Sequence, residues 1–163
     1  DPRKFGLMRL LTDKKSITSK LGPEPLEAGF TTGVLAQRLS GRTAPVKALL
    51  LDQSVIAGIG NMYADEALFR AGIHPLRPGE SLSPEEIERL HNAIQWVLRS
   101  AIANKGASVI NYFRPDGTPG TAHFEFKVAH GTGKHCANCG TPIKRIVVRN
   151  RGTYICPRCQ VAP

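Results

Sequence analysis

The sequence lacks long hydrophobic runs, and this absence argues against a protein that crosses a membrane on helices. No apolar stretch approaches the roughly 18 residues that a membrane-spanning helix requires. A starting methionine and a signal-type apolar segment are also missing, so residues 1–6 are expected to continue from a preceding segment. The 163 residues, 41% hydrophobic and 21% charged, have the composition of one ordinary domain or two small ones. We expect an intracellular protein.

Acidic residues are absent from the last quarter of the chain. Residues 126–163 contain no Asp or Glu but several Lys and Arg residues, and the whole chain carries a formal charge of +9. A surface of this kind attracts polyanions, with binding that weakens as salt rises. The alternative is a basic surface that only confers solubility. The charge distribution favours a nucleic-acid partner.

Cysteine is scarce, but the four cysteines are regularly spaced. Two residues separate Cys136 from Cys139 and Cys156 from Cys159, which lets a tight turn in each pair aim two sulfurs at one ion. A hairpin between the pairs would complete a tetrahedron. Four sulfurs leave no position for an activated water, so we predict one structural Zn²⁺. Two disulfides are the alternative. His135 adjoins the first cysteine and could replace a ligand, but we expect it to lie beside the site or in solvent.

Helical spacing dominates residues 31–103. Leu35 and Leu39 share a face, and a second short helix begins near Val46. Asn61 is predicted to cap a third helix that stops at Gly72.

The clearest helix begins at Ser83-Pro84-Glu85-Glu86, which is a capping box with proline at the first helical position. Its apolar residues recur at intervals of three and four, and Gly106 follows its end. We expect this stripe to be core: Ile87, Leu90, Ile94, Val97, Leu98, Ala101 and Ile102.

The periodicity changes after Gly106. Residues 107–122 are predicted to form a loop, and residues 123–128 alternate as in a strand. Residues 143–149 and 153–156 form the arms of a hairpin around Asn150-Arg151-Gly152. The predicted fold is therefore mainly α with a small β zinc finger. Arg151 at the tip of such a hairpin can bind a phosphate with two hydrogen bonds, and a merely exposed arginine is the alternative.

A Gly58-Ile59-Gly60 turn leads directly into Asn61. Backbone N–H groups at the start of a helix suit a phosphate, and Lys47, one short helix upstream, can add a charge there. The third glycine and the preceding strand of a dinucleotide-binding motif are missing. A plain turn before a helix is the alternative.

Several motifs, in one order along nearly the whole chain, resemble those of formamidopyrimidine-DNA glycosylases. They are Asp1-Pro2-Arg3-Lys4-Phe5-Gly6, Leu51-Asp52-Gln53, the run from Ala57 to Glu66, Gly72-Ile73-His74-Pro75, the Asp116-Gly117 loop and Cys156-Pro157-Arg158-Cys159-Gln160. The resemblance implies a helix–two-turn–helix domain followed by a zinc-finger β-hairpin with four cysteine ligands. Both would hold damaged double-stranded DNA.

The resemblance also implies roles for single residues. Asn61 and Arg151 match family residues that contact the phosphate beside the lesion from opposite sides, and Lys47 matches a lysine that lines the site. Arg3 and Phe5 resemble the pair that fills the gap left by a flipped-out nucleotide.

A mobile loop that covers the flipped base is matched by the segment containing Asp116, Gly117 and Gly120. The family nucleophile, the amine of an N-terminal proline assisted by a glutamate, has no counterpart here, so this chain alone is expected to be inactive. The family's Tyr-Gly-Arg is replaced by Ala129-His130-Gly131-Thr132, which puts the backbone contacts expected there in question.

Five segments are expected from these patterns. They are a remnant of a β-rich catalytic domain at 1–14, a linker at 15–30, the helix–two-turn–helix domain at 31–106, the lesion-recognition loop and strand at 107–127, and the zinc finger at 128–163.

The resemblance implies the DNA-binding part of a monomeric bifunctional glycosylase and abasic-site lyase, which excises oxidised purines in base excision repair and works on DNA in a bacterial cytoplasm. The rivals are a non-catalytic zinc-dependent nucleic-acid-binding module and the sister endonuclease that prefers oxidised pyrimidines.

Overall fold

The computed structural model describes residues 10, 12–13, 18–107 and 117–163. Within them lie four α-helices and one two-stranded antiparallel sheet, which confirms the predicted class. We number these elements α1 (Thr32–Leu39), α2 (Val46–Leu51), α3 (Asn61–Ala71), α4 (Pro84–Ala103), β1 (Lys144–Val148) and β2 (Arg151–Ile155). No helix in the described ranges combines the length and the apolar character needed to cross a bilayer.

The helix ends follow the chemistry of their capping residues. The Thr31 side chain accepts a hydrogen bond from the Val34 N–H at the start of α1. Ser83 and Glu86 form the predicted capping box of α4. At the end of α3, Gly72 adopts a φ of 70°, in the left-handed region that glycine enters without strain.

The prediction that Asn61 caps α3 is wrong. Gly60 is the capping residue, with extended backbone, and Asn61 is the first residue of the helix, whose start has no side-chain cap. The asparagine side chain is therefore not used by its own helix. It is available for a contact elsewhere.

The helical domain is built around one core that draws on all four helices. Leu35 and Leu39 of α1, Leu50 of α2 and Leu90 of α4 are all within 1% of complete burial. Most of the predicted stripe on α4 lies in or against this core. Ala101 packs in a separate small cluster with Ala107 and Ala122. Ile102 is 67% exposed, because the last turn of α4 runs past the core and borders an open cavity.

The two turns between α2 and α3 are fixed by polar side chains. Asp52 accepts hydrogen bonds from the Ser54 N–H and hydroxyl. The Gln53 side chain accepts from the Gly58 N–H and donates to the Ile59 carbonyl. The Gly58 φ of 78° completes the turn that delivers the chain to α3.

Part of the predicted linker packs on this double turn. The Gly22 N–H donates to the Gln53 carbonyl, and a Cβ on Gly22 would lie 2.5 Å from the Val55 backbone. Phe30 is almost fully buried in the helical core. Residues 22–30 therefore belong to the folded helical unit.

The prediction of a strand at residues 123–128 is wrong. Residues Ala122–Glu125 form a short 3-10 helix. The following N–H groups of Lys127, Val128 and Ala129 donate to the Glu66 carboxylate instead of to a neighbouring strand. A buried acceptor from α3 thus replaces the sheet partner that the alternation suggested.

The zinc-finger hairpin is present with a shorter turn than predicted. Strands β1 and β2 pair from Lys144 with Ile155 to Val148 with Arg151. Arg149 and Asn150 alone form the turn, with φ of 43° and 63°, the positive values that the favoured two-residue hairpin turn requires. Arg151 is therefore the first residue of β2, where the register fixes its position.

Candidate metal centre and nucleic-acid interface

The four cysteines converge at the base of the hairpin. Their Sγ atoms all lie within 4.8 Å of one another, and three of the Sγ–Sγ separations are 3.4, 3.5 and 3.8 Å. A tetrahedral zinc with bonds of about 2.3 Å would hold sulfurs about 3.8 Å apart, whereas a disulfide needs about 2.05 Å. The donors therefore fit one structural zinc, and the disulfide alternative is excluded. His135 is exposed and lies outside this group.

The finger has a small core of its own that rests on α3. Val128, Ile143 and two of the cysteines pack with Phe69, which projects from the helical domain. Gln160 adds a buried polar link between the two parts. Its side chain accepts from the Cys156 N–H at 3.0 Å and donates to the Ile73 carbonyl at 2.9 Å.

Lys47 of α2 lies at the junction of the helices and β2, and its side chain is fully buried. Its Nζ is 2.7 Å from Asp65 Oδ1, 2.7 Å from Thr153 Oγ1 and 3.1 Å from the Gly152 carbonyl. An ammonium group has three N–H donors. Two of them are used by Thr153 and the Gly152 carbonyl, Asp65 is the ion-pair partner, and the complete burial of the side chain leaves no face of the ammonium open to a ligand.

Burial sets the electrostatics of this cluster. It lowers the pKa of Lys47, against the opposing attraction of Asp65. Burial also raises the pKa of Asp65 to about 6, opposed by the Lys47 charge and by the Tyr154 N–H that donates to the other carboxylate oxygen. The ion pair and these hydrogen bonds compensate part of the cost of removing two charges from water.

Asn61 reaches the same point of the hairpin from the start of α3. Its Nδ2 donates to the Gly152 carbonyl at 3.0 Å, which is the acceptor that Lys47 also uses. Its Oδ1 is buried and has no hydrogen-bond partner among the described residues. The second N–H of the side-chain amide has no partner in the part of the chain that the structure describes.

Arg151 directly precedes Gly152 and its side chain is exposed. Its carbonyl accepts from the Thr153 hydroxyl at 3.0 Å, which ties its backbone to the buried cluster. The structure therefore brings Asn61, Lys47 and Arg151, all predicted site residues, to one short stretch of β2. Thr153 is fully buried, so its hydroxyl serves this cluster.

A cavity of about 600 Å³ opens beside the two turns and the end of α4. Its wall includes Gly58, Tyr63 and Lys105. The predicted lesion loop begins and ends beside this cavity. Gly106 lines the cavity, and the next residue, Ala107, pairs with Thr121 in an isolated bridge.

Two positions of that loop, Gly120 and Gly117, favour glycine for different structural reasons. A Cβ on Gly120 would lie 2.3 Å from the Gly106 carbonyl oxygen, so the loop base closes only without a side chain there. Gly117 has a φ of 77°. Arg3, Phe5 and Asp116 lie outside the described residues.

Sequence reasoning missed three residues of the junction, Asp65, Glu66 and Gln160. All three are nearly fully buried polar side chains that join the helical domain to the finger. Together with Lys47 and Asn61 we call them the seam. A pair of acidic residues inside an otherwise apolar stretch of α3 is the signal that could have pointed to Asp65 and Glu66, whereas Gln160, directly after Cys159, carries no such signal.

Comparisons with known families match the helical domain and the zinc finger separately. The domain description "Formamidopyrimidine-DNA glycosylase H2TH domain" matches residues 21–112, which is more than half of the chain. The description "Zinc finger found in FPG and IleRS" matches residues 133–161.

Whole-chain comparisons point the same way. The formamidopyrimidine-DNA glycosylases of Chloroflexus aurantiacus and Geobacillus kaustophilus are 52% and 46% identical, over 99% and 98% of this chain. The solved MutM (FPG) protein of Thermus thermophilus superimposes with a TM-score of 0.89 at 43% identity, covering 98% of this chain and 62% of that one.

A variant of the Lactococcus lactis FPG in complex with Fapy-dG-containing DNA superimposes with a TM-score of 0.91 at 36% identity, covering 99% of this chain and 61% of that one. The chain spans 59% and 60% of the lengths of the Chloroflexus aurantiacus and Geobacillus kaustophilus relatives. The domain match, the four-cysteine centre and the superposition lead to one conclusion: the chain belongs to the formamidopyrimidine-DNA glycosylase family.

Proposed function

We propose that this chain binds and orients damaged duplex DNA for a glycosylase and abasic-site lyase that removes oxidised purines. The observation that carries the proposal is the meeting of Asn61, from the helix–two-turn–helix unit, with the strand that begins at Arg151. An amide N–H and a guanidinium held close together can bind one phosphate from two sides. DNA backbone binding by a basic face needs such fixed donors to set its register.

The surroundings of this pair favour an anion. The finger beyond residue 125 has basic side chains and no acidic ones, and the acidic residues of the seam are buried and engaged. Little negative charge therefore opposes a phosphate near Arg151. The proposal predicts affinity that falls steeply with salt.

The cavity beside Tyr63 supplies a place for an extruded base. An enzyme that acts on a base in a duplex has to flip it out of the stack into a pocket. The cavity lies between the turn before α3 and the base of the loop, and Gly58 and Tyr63 of its wall flank, in the sequence, the start of α3 that carries Asn61. The Lactococcus lactis FPG that this chain resembles was solved with Fapy-dG-containing DNA and with abasic-site DNA.

In the proposed reaction, an N-terminal proline amine of the intact enzyme attacks the anomeric carbon, releases the base and forms a Schiff base, and strand cleavage follows by elimination. Residues 1–163 contribute binding, orientation and distortion of the duplex. Holding the reacting groups in place in this way supplies a large share of catalysis. We propose that the protein works as a monomer on chromosomal DNA in a bacterial cell.

Binding to a short duplex tests the proposal directly. The zinc-loaded chain should bind a duplex with an abasic-site analogue more tightly than the undamaged duplex, measured by fluorescence anisotropy. Asn61→Ala and Arg151→Ala should each weaken that binding by about 1 to 3 kcal/mol, as expected for a lost charge-assisted hydrogen bond.

Arg99→Ala is the matched control, because it removes an exposed arginine from α4, away from the hairpin. Its affinity should stay close to that of the wild type. Equal affinity of the wild type for damaged and undamaged duplexes would contradict the proposal.

A second experiment separates binding from chemistry. A polypeptide limited to residues 1–163 is expected to leave no covalent adduct when borohydride is added with abasic DNA, since the proline amine is not among its residues. A trapped adduct would identify a lysine of this chain as a nucleophile. It would refute the proposal that residues 1–163 contribute binding and orientation but not the nucleophile.

A further inference from the structure

The assignment of Lys47 to the DNA-binding site meets a geometric obstacle. Its side chain is fully buried, Thr153 and the Gly152 carbonyl accept hydrogen bonds from its Nζ, and Asp65 lies 2.7 Å from the same atom as its ion-pair partner. A phosphate outside the protein therefore cannot reach the Lys47 ammonium. Any effect of this lysine on DNA binding must therefore pass through another residue.

The Gly152 carbonyl links Lys47 to Asn61. It accepts from Lys47 Nζ at 3.1 Å and from Asn61 Nδ2 at 3.0 Å. A carbonyl oxygen has two lone pairs, so the two donors satisfy it completely. With the carbonyl fixed by the lysine, the Asn61 amide can bond to it only through its nitrogen.

This constraint decides which end of the Asn61 amide a ligand meets. An asparagine side chain has a donor end and an acceptor end of similar shape, and its neighbours determine the orientation. A phosphate only accepts hydrogen bonds. If Asn61 were reversed, its Oδ1 would repel both the Gly152 carbonyl and the phosphate.

We propose that Lys47 is a positioning residue for Asn61: it fixes the Gly152 carbonyl, which orients the Asn61 amide so that its free N–H meets the phosphate. The inference rests on the proposed function, since it requires that Asn61 contacts a phosphate. Thr153 holds the lysine from the strand side and Asp65 balances its charge, so the device spans α2, α3 and β2.

Salt dependence distinguishes positioning from direct contact. A residue that neutralises a phosphate lowers the slope of log affinity against log salt by about one when it is removed. The test compares Lys47→Met/Asp65→Asn with the wild type on the abasic-site duplex. The double substitution leaves no unpaired buried charge and keeps an acceptor for the Tyr154 N–H.

We expect this variant to bind one zinc per chain, to lose about tenfold in affinity, and to keep the wild-type salt slope. Adding Asn61→Ala should then lower the affinity little further, because both changes remove the same oriented amide N–H. Arg151→Ala should lower the slope, and Lys20→Met, at an exposed lysine, shows what the same substitution does at the surface.

Three outcomes would overturn the inference while leaving the proposed function in place. They are wild-type affinity in the double variant, a slope lowered by about one, and full additivity with Asn61→Ala. Failure of the wild type to prefer the abasic-site duplex would instead refute the proposed function.

The wild-type protein offers a test that does not depend on how variants fold. In ¹⁵N-labelled protein, one N–H of the Asn61 amide should exchange slowly, and the other should shift when abasic-site duplex is added. Equal exchange of the two hydrogens before DNA is added would overturn the inference. If neither signal shifts on DNA addition, the phosphate contact itself is refuted.

Discussion

The helical domain and the zinc finger are stabilised by different forces. In the described residues, the helical core contains nineteen buried apolar residues, whereas the finger core contains five, two of them zinc ligands. Apolar burial is the main favourable term in folding and grows with the buried area. The helical domain can therefore hold itself together, and the finger needs a metal and a neighbour.

The seam shows how the neighbour helps. Glu66, Asp65 and Gln160 bury polar groups that are hydrogen-bonded across the boundary, at distances between 2.8 and 3.2 Å. Buried polar contacts contribute little net energy each but fix one geometry, because any alternative leaves a group unsatisfied. The finger is thus oriented by polar contacts and stabilised by zinc.

Zinc removal is the largest expected effect and tests this contrast first. Structural zinc sites in small peptides contribute roughly 10 to 16 kcal/mol, far more than the finger core can supply. After chelation we expect loss of DNA binding and of the hairpin, while most helical circular dichroism remains. If the helices melt together with the hairpin, the two regions are one cooperative unit and the contrast is wrong.

Truncation of a core side chain should destabilise the helical domain and leave the zinc site intact. Leu50 is completely buried, so Leu50→Ala should lower the free energy of unfolding of the helices by about 2 to 5 kcal/mol, measured by urea titration. Zinc should remain bound under native conditions. Ile102→Ala, at a 67% exposed position on α4, serves as the control and should change stability by about 0.5 kcal/mol at most. Zinc release by the Leu50 variant in buffer would contradict the separation.

A seam substitution should have an intermediate effect confined to the boundary. Glu66→Gln keeps the size of the side chain but replaces a carboxylate that accepts three backbone N–H groups. A loss of about 1 to 3 kcal/mol is expected, because a donor is left unsatisfied.

Hydrogen exchange should locate that loss at residues 127–129. Glu88→Gln, on the exposed face of α4, makes the same chemical change outside the seam and should leave exchange unaltered. Uniform acceleration of exchange throughout the helices would show that Glu66 supports the whole domain.

The last prediction concerns pH. Burial raises the pKa of Asp65 from 3.8 to about 6. Because the folded pKa is above the unfolded one, the folded state binds more protons between these values. The contribution of Asp65 to stability is therefore complete below about pH 4 and is lost as pH rises through 6. The stability of the wild type relative to Asp65→Asn should fall over this range in a pH series of urea titrations.

Asp52→Asn provides a control of opposite sign. The Ser54 side chain and backbone lower the pKa of Asp52, so its contribution is lost as pH falls. A ¹³C titration of the Asp65 carboxyl group near its ordinary value would refute the buried, raised pKa.

Local chemistry made much of this fold predictable. The capping box at Ser83, the stop at Gly72 and the paired cysteines act over a few residues, and each is observed as expected. The same reasoning failed at residues 123–128, because Glu66, about sixty residues earlier, provides the acceptor that decides their conformation.

The site was predictable only in part for a similar reason. Asn61 at a helix start and Arg151 on the hairpin were singled out from local patterns and given their roles by the resemblance, and the start of β2 brings them to one place. The burial of Lys47 was not foreseeable, since a lysine is ordinarily exposed and its partners Asp65 and Thr153 lie 18 and 106 residues further along the chain.

The hydrogen bonds from α3 to the finger have a consequence for protein engineering. Asn61, Asp65 and Glu66 all contact main-chain groups of the finger, namely the Gly152 carbonyl and the N–H groups of Tyr154 and of residues 127–129. Hydrogen bonds of this type depend on the path of the finger backbone and not on most of its side chains. Outward-facing positions such as Lys144 and Val147 can therefore be randomised in a library, and hairpins of new surface chemistry will still seat on the same helix.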